Sequence, residues 1–78
     1  MEYDKDKVDE LVLALLYLTR FSDEYGTRAW KSMDWDAMNR LYEKGLIGNP
    51  KGKAKSVTLT ERGAALSETL FFQNFGLD

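Results

Sequence analysis

The sequence contains no cysteine and no histidine, and these two absences exclude several classes of protein. They remove a disulfide framework, a thiolate nucleophile, an imidazole base and a zinc site of the usual Cys/His type. The carboxylates, lysines, tyrosines and hydroxyls that remain show no spacing typical of a nucleophile and its base. We therefore expect no metal and no cofactor, and we do not expect an enzyme.

Long apolar runs are also lacking. The longest extends over eight residues, from Leu11 to Leu18, whereas a membrane-spanning helix needs about 20. The charged start of the chain, Met1 to Lys7, differs from the basic beginning of a secretion signal. We therefore expect a cytoplasmic protein that does not enter a membrane and whose mature form starts at Met1.

What is present is enough for one small domain over residues 1–78, with 44% hydrophobic and 31% charged residues. The net charge of -2 is unevenly distributed. Residues 1–24 hold seven acids and three bases, residues 25–56 three acids and seven bases, and residues 57–78 three acids and one base. The basic middle can attract anions, although local blocks of charge are also typical of solvated surfaces.

The first predicted helix begins near Asp4 or Asp6, whose carboxylates suit a helix start, and runs to about Arg20. At 100° per residue, positions 11–18 point in every direction around its axis, so the helix must be covered on all sides. A second copy of the chain is the simplest cover for so small a domain. The pattern therefore predicts a homodimer.

The second predicted helix is capped by Asp34 and ends at Lys44, with Gly45 in the left-handed conformation. Its helical spacing separates a buried face from a solvent face. The buried face holds Trp35, Met38, Leu41 and Tyr42, and the solvent face holds Asp36, Asn39, Arg40 and Glu43.

Between these helices, Phe21 to Tyr25 is predicted to form a loop, and Thr27 to Met33 is ambiguous between a strand and a helix. We favour a helical turn, and we expect Trp30, like Trp35, to anchor the core.

A hairpin and a last helix follow. Leu46 and Ile47 form a short strand, residues 48–55 a basic loop, and residues 56–60 an alternating strand. Thr60 caps a helix that runs to about Asn74. Its apolar residues form two stripes, Leu66 with Leu70, and Ala64 with Phe71, Phe72 and Phe75.

The segment Leu41–Ile47 followed by Val57–Gly63 resembles the recognition helix and wing of winged-helix domains, in particular regulators of the multiple-antibiotic-resistance type. The whole chain also resembles a family of short bacterial proteins of unknown function, through its apolar run at residues 11–18 and its segments at 29–32 and 53–57. The resemblance implies an α+β fold, a small winged-helix-like domain with three main helices and a two-stranded antiparallel hairpin.

The winged-helix resemblance implies a transcription-regulatory protein that contacts duplex DNA. Arg40 suits guanine and Asn39 suits adenine, while hairpin lysines would contact phosphates. The candidate nucleic-acid-binding residues are Arg28, Lys31, Asn39, Arg40, Lys51, Lys53 and Lys55.

The alternative is a protein-interaction module that keeps the winged-helix shape without binding DNA and serves an unidentified protein partner. The acidic residues on the second helix favour it, and so does the short segment Thr27 to Met33, where winged-helix regulators have a full supporting helix. In both cases the predicted dimer interface consists of Leu13, Leu16, Tyr17, Phe71, Phe72 and Phe75.

Overall fold

Three side chains predicted to cap helices do so. The computed structural model describes residues 1–24, 26–31, 34–52 and 54–77. Asp4 accepts a hydrogen bond from the backbone N–H of Lys7 at 3.0 Å, and Asp34 accepts one from Ala37 at 3.0 Å. Thr60 accepts one from Gly63 at 2.9 Å. Each bond satisfies a backbone donor that the first helical turn leaves free.

The helices begin close to the predicted positions, although α1 ends at Leu16 and not near Arg20, and the described residues contain three short strands between the helices. In chain order the elements are helix α1 (Lys5–Leu16), a 3-10 turn (Tyr17–Thr19), strands β1 (Phe21–Asp23) and β2 (Gly26–Trp30), helix α2 (Trp35–Glu43), strand β3 (Ser56–Thr58) and helix α3 (Glu61–Phe75). The predicted α+β class is confirmed, with a three-stranded antiparallel sheet in place of a two-stranded hairpin.

The sheet has the order β1-β2-β3. Arg28 on β2 lies opposite Phe21 on β1 and Thr58 on β3. The predicted strand at residues 46–47 is reduced to a single bridge between Ile47 and Leu59.

The segment before α2 corrects the prediction. Residues 21–23 form a strand rather than a loop, and residues 26–30 form a strand rather than a helical turn. Gly26, the first residue of β2, has a φ of +122°, a backbone conformation that glycine tolerates. The end of the predicted turn, Ser32 and Met33, lies outside the described residues. The strands form because β2 pairs with a neighbouring strand on each side. The pattern of nearby residues in the sequence does not show these neighbours.

The core collects side chains from every helix and from the sheet. Much of the apolar run of α1 is buried by the same chain, because α1 packs against both α2 and α3. The buried hydrophobic residues are Val12, Leu13, Ala14, Leu16, Ala29, Ala37, Met38, Leu41, Leu46, Ile47, Val57, Leu59 and Leu70. A second copy is therefore not needed to cover the middle of α1.

Three aromatic residues expected in the core lie at the surface. Trp30, Trp35 and Tyr42 are 48%, 51% and 45% exposed. Helix α2 presents Met38 and Leu41 to the core as predicted, but its buried face extends to Ala37 rather than to the two aromatic residues. On β2, Ala29 points inward, so the next residue, Trp30, points outward.

The start of α3 is tied to the end of α2. The Thr60 hydroxyl donates to the carbonyl oxygen of Gly45 at 2.9 Å, and the Arg62 guanidinium donates to that of Lys44. Gly63 packs so closely that a Cβ there would lie 1.8 Å from the carbonyl oxygen of Leu46. The Thr-Glu-Arg-Gly motif therefore closes the hairpin at its base.

A buried charge in α1 tests this core. Leu16 is 0% exposed, whereas Leu18 is 65% exposed. We expect Leu16→Glu to lower the free energy of unfolding by about 3 kcal/mol or more, because an unpaired carboxylate would be buried. Leu18→Glu, the matched control, should change it by less than about 0.5 kcal/mol. Urea denaturation followed by circular dichroism measures both, and equal midpoints for the two variants would contradict the described core.

Candidate functional site

Four aromatic rings meet on the surface where the 3-10 turn crosses the C-terminal half of α3. The Tyr17 and Phe71 rings stack with centroids 4.9 Å apart. Phe72 meets the Phe71 ring edge-on at 5.6 Å, and Phe75 lies 5.3 Å from Phe71. These four residues are called the aromatic surface below. Phe72 and Phe75 are 55% and 43% exposed, so a connected apolar cluster faces solvent.

Arg20 borders the aromatic surface with positive charge. Its guanidinium carbon lies 4.0 Å from the centre of the Tyr17 ring, and Nη2 donates to the Tyr17 hydroxyl at 2.9 Å. Arg20 also lines an open concavity of about 570 Å³ with Leu18, Phe21 and Trp30. Arg20 therefore contacts the aromatic surface and also lines this concavity.

The predicted dimer interface is only partly available to a partner. Tyr17, Phe71, Phe72 and Phe75 lie together, as described above. Leu13 and Leu16, however, are 1% and 0% exposed and belong to the core. Their assignment to the interface is corrected, because α2 and α3 already cover that side of α1.

A buried ion network joins α1 to α2. Asp9 is 1% exposed, and Arg40 Nε donates to both of its carboxylate oxygens at 2.9 Å. Arg40 Nη2 lies 2.9 Å from Oδ1 in an ionic contact. Lys44 Nζ completes the network, 2.9 Å from Asp9 Oδ2 and 3.0 Å from Asp6 Oδ1. A buried carboxylate that is paired in this way avoids the cost of an isolated charge.

The network holds both cations in their charged forms. The hydrogen bond to Asp9 raises the pKa of the Lys44 ammonium, opposed by partial burial and supported by the bond to Asp6. Burial acts to lower the pKa of the Arg40 guanidinium, but the hydrogen bond and the charge of Asp9 outweigh it, so this pKa is also raised.

Sequence reasoning missed this network, although a signal was present. Asp9 precedes Val12, Leu13 and Leu16 at helical spacing, so a carboxylate lies on the buried face of α1. Arg40 on α2 and Lys44, the C-cap residue of α2, are four residues apart and so lie on the same side. Arg40 therefore does not belong to the solvent face on which it was predicted.

Two more of the predicted nucleic-acid-binding cations are held by the protein itself. Arg28 donates to the Ser56 hydroxyl and the Thr58 hydroxyl at 2.9 Å each. Lys31 Nζ donates to the carbonyl oxygens of Pro50 and Gly52 at 2.7 Å each. Like Arg40, these side chains bind atoms of the protein, so the structure does not present them as free cations.

The structure brings Asn39 and Lys51 together. They line a concavity of about 230 Å³ between α2 and the hairpin loop, with Tyr42, Glu43 and Asn49. Lys55 is exposed at the end of the same loop. The remaining candidate, Lys53, lies outside the described residues.

The described residues contain neither a cluster of metal-binding side chains nor a membrane-spanning helix. Nowhere in residues 1–24, 26–31, 34–52 and 54–77 do three side chains from His, Cys, Asp and Glu come together as a metal ion requires. No helix in these ranges has the length and apolarity needed to cross a membrane.

The family described as a domain of unknown function, DUF6429, matches residues 4–77. The chain belongs to this family. It is 48% identical over 75 residues to the uncharacterized protein y4hR of Sinorhizobium fredii, which covers 96% of this chain and 97% of that protein. No solved structure matches the chain. The family confirms the resemblance to short bacterial proteins of unknown function, whereas the resemblance to winged-helix regulators stays a prediction.

Removing the charge of Asp9 tests the network. We expect Asp9→Asn to lower the free energy of unfolding by about 2 kcal/mol, because two cations lose the buried carboxylate that pairs with them. The control is Glu10→Gln, since the Glu10 side chain is 50% exposed in a surface pair with Lys7, and surface pairs contribute about 0–1 kcal/mol. Urea denaturation at neutral pH measures the difference. If the two variants are equally stable, the Asp9 network does not hold α1 to α2.

Proposed function

We propose that this protein is a protein-interaction module of the bacterial cytoplasm that forms a homodimer through the aromatic surface. The observation that carries the proposal is the exposure of Phe72 and Phe75 beside the stacked rings of Tyr17 and Phe71. Aromatic side chains are enriched at the centres of protein interfaces, and arginine is enriched there too. Arg20 at the border of the cluster fits this composition.

A second copy of the chain suits this surface better than a charged partner. Ring edges carry partial positive charge and ring faces partial negative charge, so an aromatic cluster can pack against its own copy about a twofold axis. A 78-residue domain also gains more from such burial than a larger one, because its own core is small.

The alternative of a DNA-reading helix has less support. Four residues separate the end of β2 at Trp30 from the start of α2 at Trp35, which leaves too little chain for a supporting helix. With Arg40 bound to Asp9, Asp36 and Glu43 give the outward side of α2 negative charge. These two carboxylates would be repelled by the phosphates if this helix entered a DNA groove.

Substitution within the aromatic surface tests the dimer. We expect the wild-type chain to sediment at micromolar concentration with twice the 9.0 kDa mass of one chain, and Phe72→Glu to sediment as a monomer, because two copies would oppose carboxylates in an apolar contact. Trp35→Glu, which changes an equally exposed aromatic on α2, should remain dimeric. A wild-type monomer at these concentrations, or equal dissociation by both substitutions, would disprove an interface at this surface.

A second candidate function is weak contact between the hairpin loop and duplex DNA, in the manner of a transcription regulator. Lys51 and Lys55 are exposed on this loop, while Lys31 binds two of its carbonyl oxygens. Flexible ammonium groups contact phosphates without reading sequence, and such binding is sensitive to salt.

Fluorescence anisotropy with duplex DNA at low salt tests this second function. Lys51→Ala with Lys55→Ala should weaken binding and reduce the slope of log affinity against log salt by about 2, because each lost phosphate contact removes about 0.9. Lys5→Ala with Lys7→Ala makes the same change in charge on α1 and should leave the slope unaltered. No binding at tens of micromolar protein, or equal effects of the two pairs, would refute contact through the loop.

A further inference from the structure

We propose that the concavity between α2 and the hairpin loop binds one nucleotide of a single-stranded nucleic acid, with the base on the Tyr42 ring and the phosphate at Lys51. This inference rests on the second candidate function, contact between the hairpin loop and nucleic acid. It differs from that function in ligand and in mode, because it requires an unstacked base and an aromatic ring.

Tyr42 provides the stacking surface. The apolar pattern of α2 predicts it in the core, yet it is 45% exposed and lines the concavity together with Asn39 and Lys51. An exposed ring beside a cation and a side-chain amide is the arrangement that single-strand-binding proteins use, since every base can stack on an aromatic ring.

Hydrogen bonds within the protein hold the backbone on both sides of Lys51. The backbone N–H of Lys51 donates to Asn49 Oδ1 at 2.9 Å. On either side of Lys51, the carbonyl oxygens of Pro50 and Gly52 each accept a hydrogen bond from Lys31 Nζ at 2.7 Å. The Pro50 side chain is fully buried. Lys51 is thus exposed on a backbone that is hydrogen-bonded on both sides, and such prior bonding reduces the entropy lost on binding.

The charges around the concavity orient the ligand. Glu43 also lines the concavity, and its negative charge is opposite to that of Lys51. A carboxylate repels a phosphate but accepts hydrogen bonds from the exocyclic amino group of a base. The phosphate therefore lies at Lys51 and the base lies over α2, where the Asn39 amide can also bond to its edge.

The size and the surroundings of the concavity favour a single strand. Its volume of about 230 Å³ is below the range of pockets that enclose drug-sized ligands, about 300–1,000 Å³, and suits one ring laid on a surface. Bases in a duplex are stacked on one another and cannot lie on Tyr42. Arg40, the residue best suited to read guanine in a duplex groove, is bound to Asp9.

Anisotropy with fluorescein-labelled single-stranded RNA and DNA oligonucleotides, beside a duplex of the same sequence, tests the inference. Tyr42→Leu should weaken single-strand binding at least about fivefold, because a stacked base is lost, and should leave duplex binding within about twofold. Tyr42→Phe retains the ring and should bind as the wild type does. Trp35→Leu removes an equally exposed aromatic from the same helix, outside the concavity, and should have no effect.

The outcomes separate this inference from the function on which it rests. Duplex binding that depends on Lys51, combined with single-strand binding that Tyr42→Leu does not change, would overturn the nucleotide site and leave the loop contact standing. No binding of either ligand would overturn both. Circular dichroism of each variant confirms that the fold is retained.

Discussion

The pairing of Asp9 with Arg40 and Lys44 determines how α2 lies in this protein. A carboxylate that is 1% exposed must meet its cations at close range. Arg40 lies on α2 and Lys44 at its C-cap, on the same side, so the pairing fixes the rotation of that helix about its axis. Met38 and Leu41 then enter the core, and Tyr42 is left at the surface. The same interaction engages the Arg40 guanidinium with Asp9.

The two proposed binding surfaces lie on different elements, so they can act together. The aromatic surface belongs to the 3-10 turn and α3, whereas the concavity with Tyr42 and Lys51 belongs to α2 and the hairpin loop. A homodimer formed through α3 would carry two hairpin loops. Two weak contacts with one strand or duplex bind more tightly than either alone, because the second contact is intramolecular.

The candidate site was predicted less well than the fold, and the reason is distance along the chain. Arg28, Lys31 and Arg40 have partners 28, 19 and 31 residues away. Sequence alone presents these residues as surface cations, because it does not show which acceptors the fold brings to them. Phe71, Phe72 and Phe75 were predicted to lie together because residues on one helix share a face at known spacing. Leu13 and Leu16 were misassigned because the packing of α3 on α1 was unknown.

The sequence by itself determined the helix starts at Asp34 and Thr60, a first helix start near Asp4 or Asp6, and the end of α2 at Gly45. These features depend on hydrogen bonds and side-chain spacing within a few residues. Only the tertiary structure decided that residues 26–30 form a strand, because a strand is completed by neighbours, here β1 and β3. It also decided which cations remain free, because a charge selects its partner through space rather than along the chain.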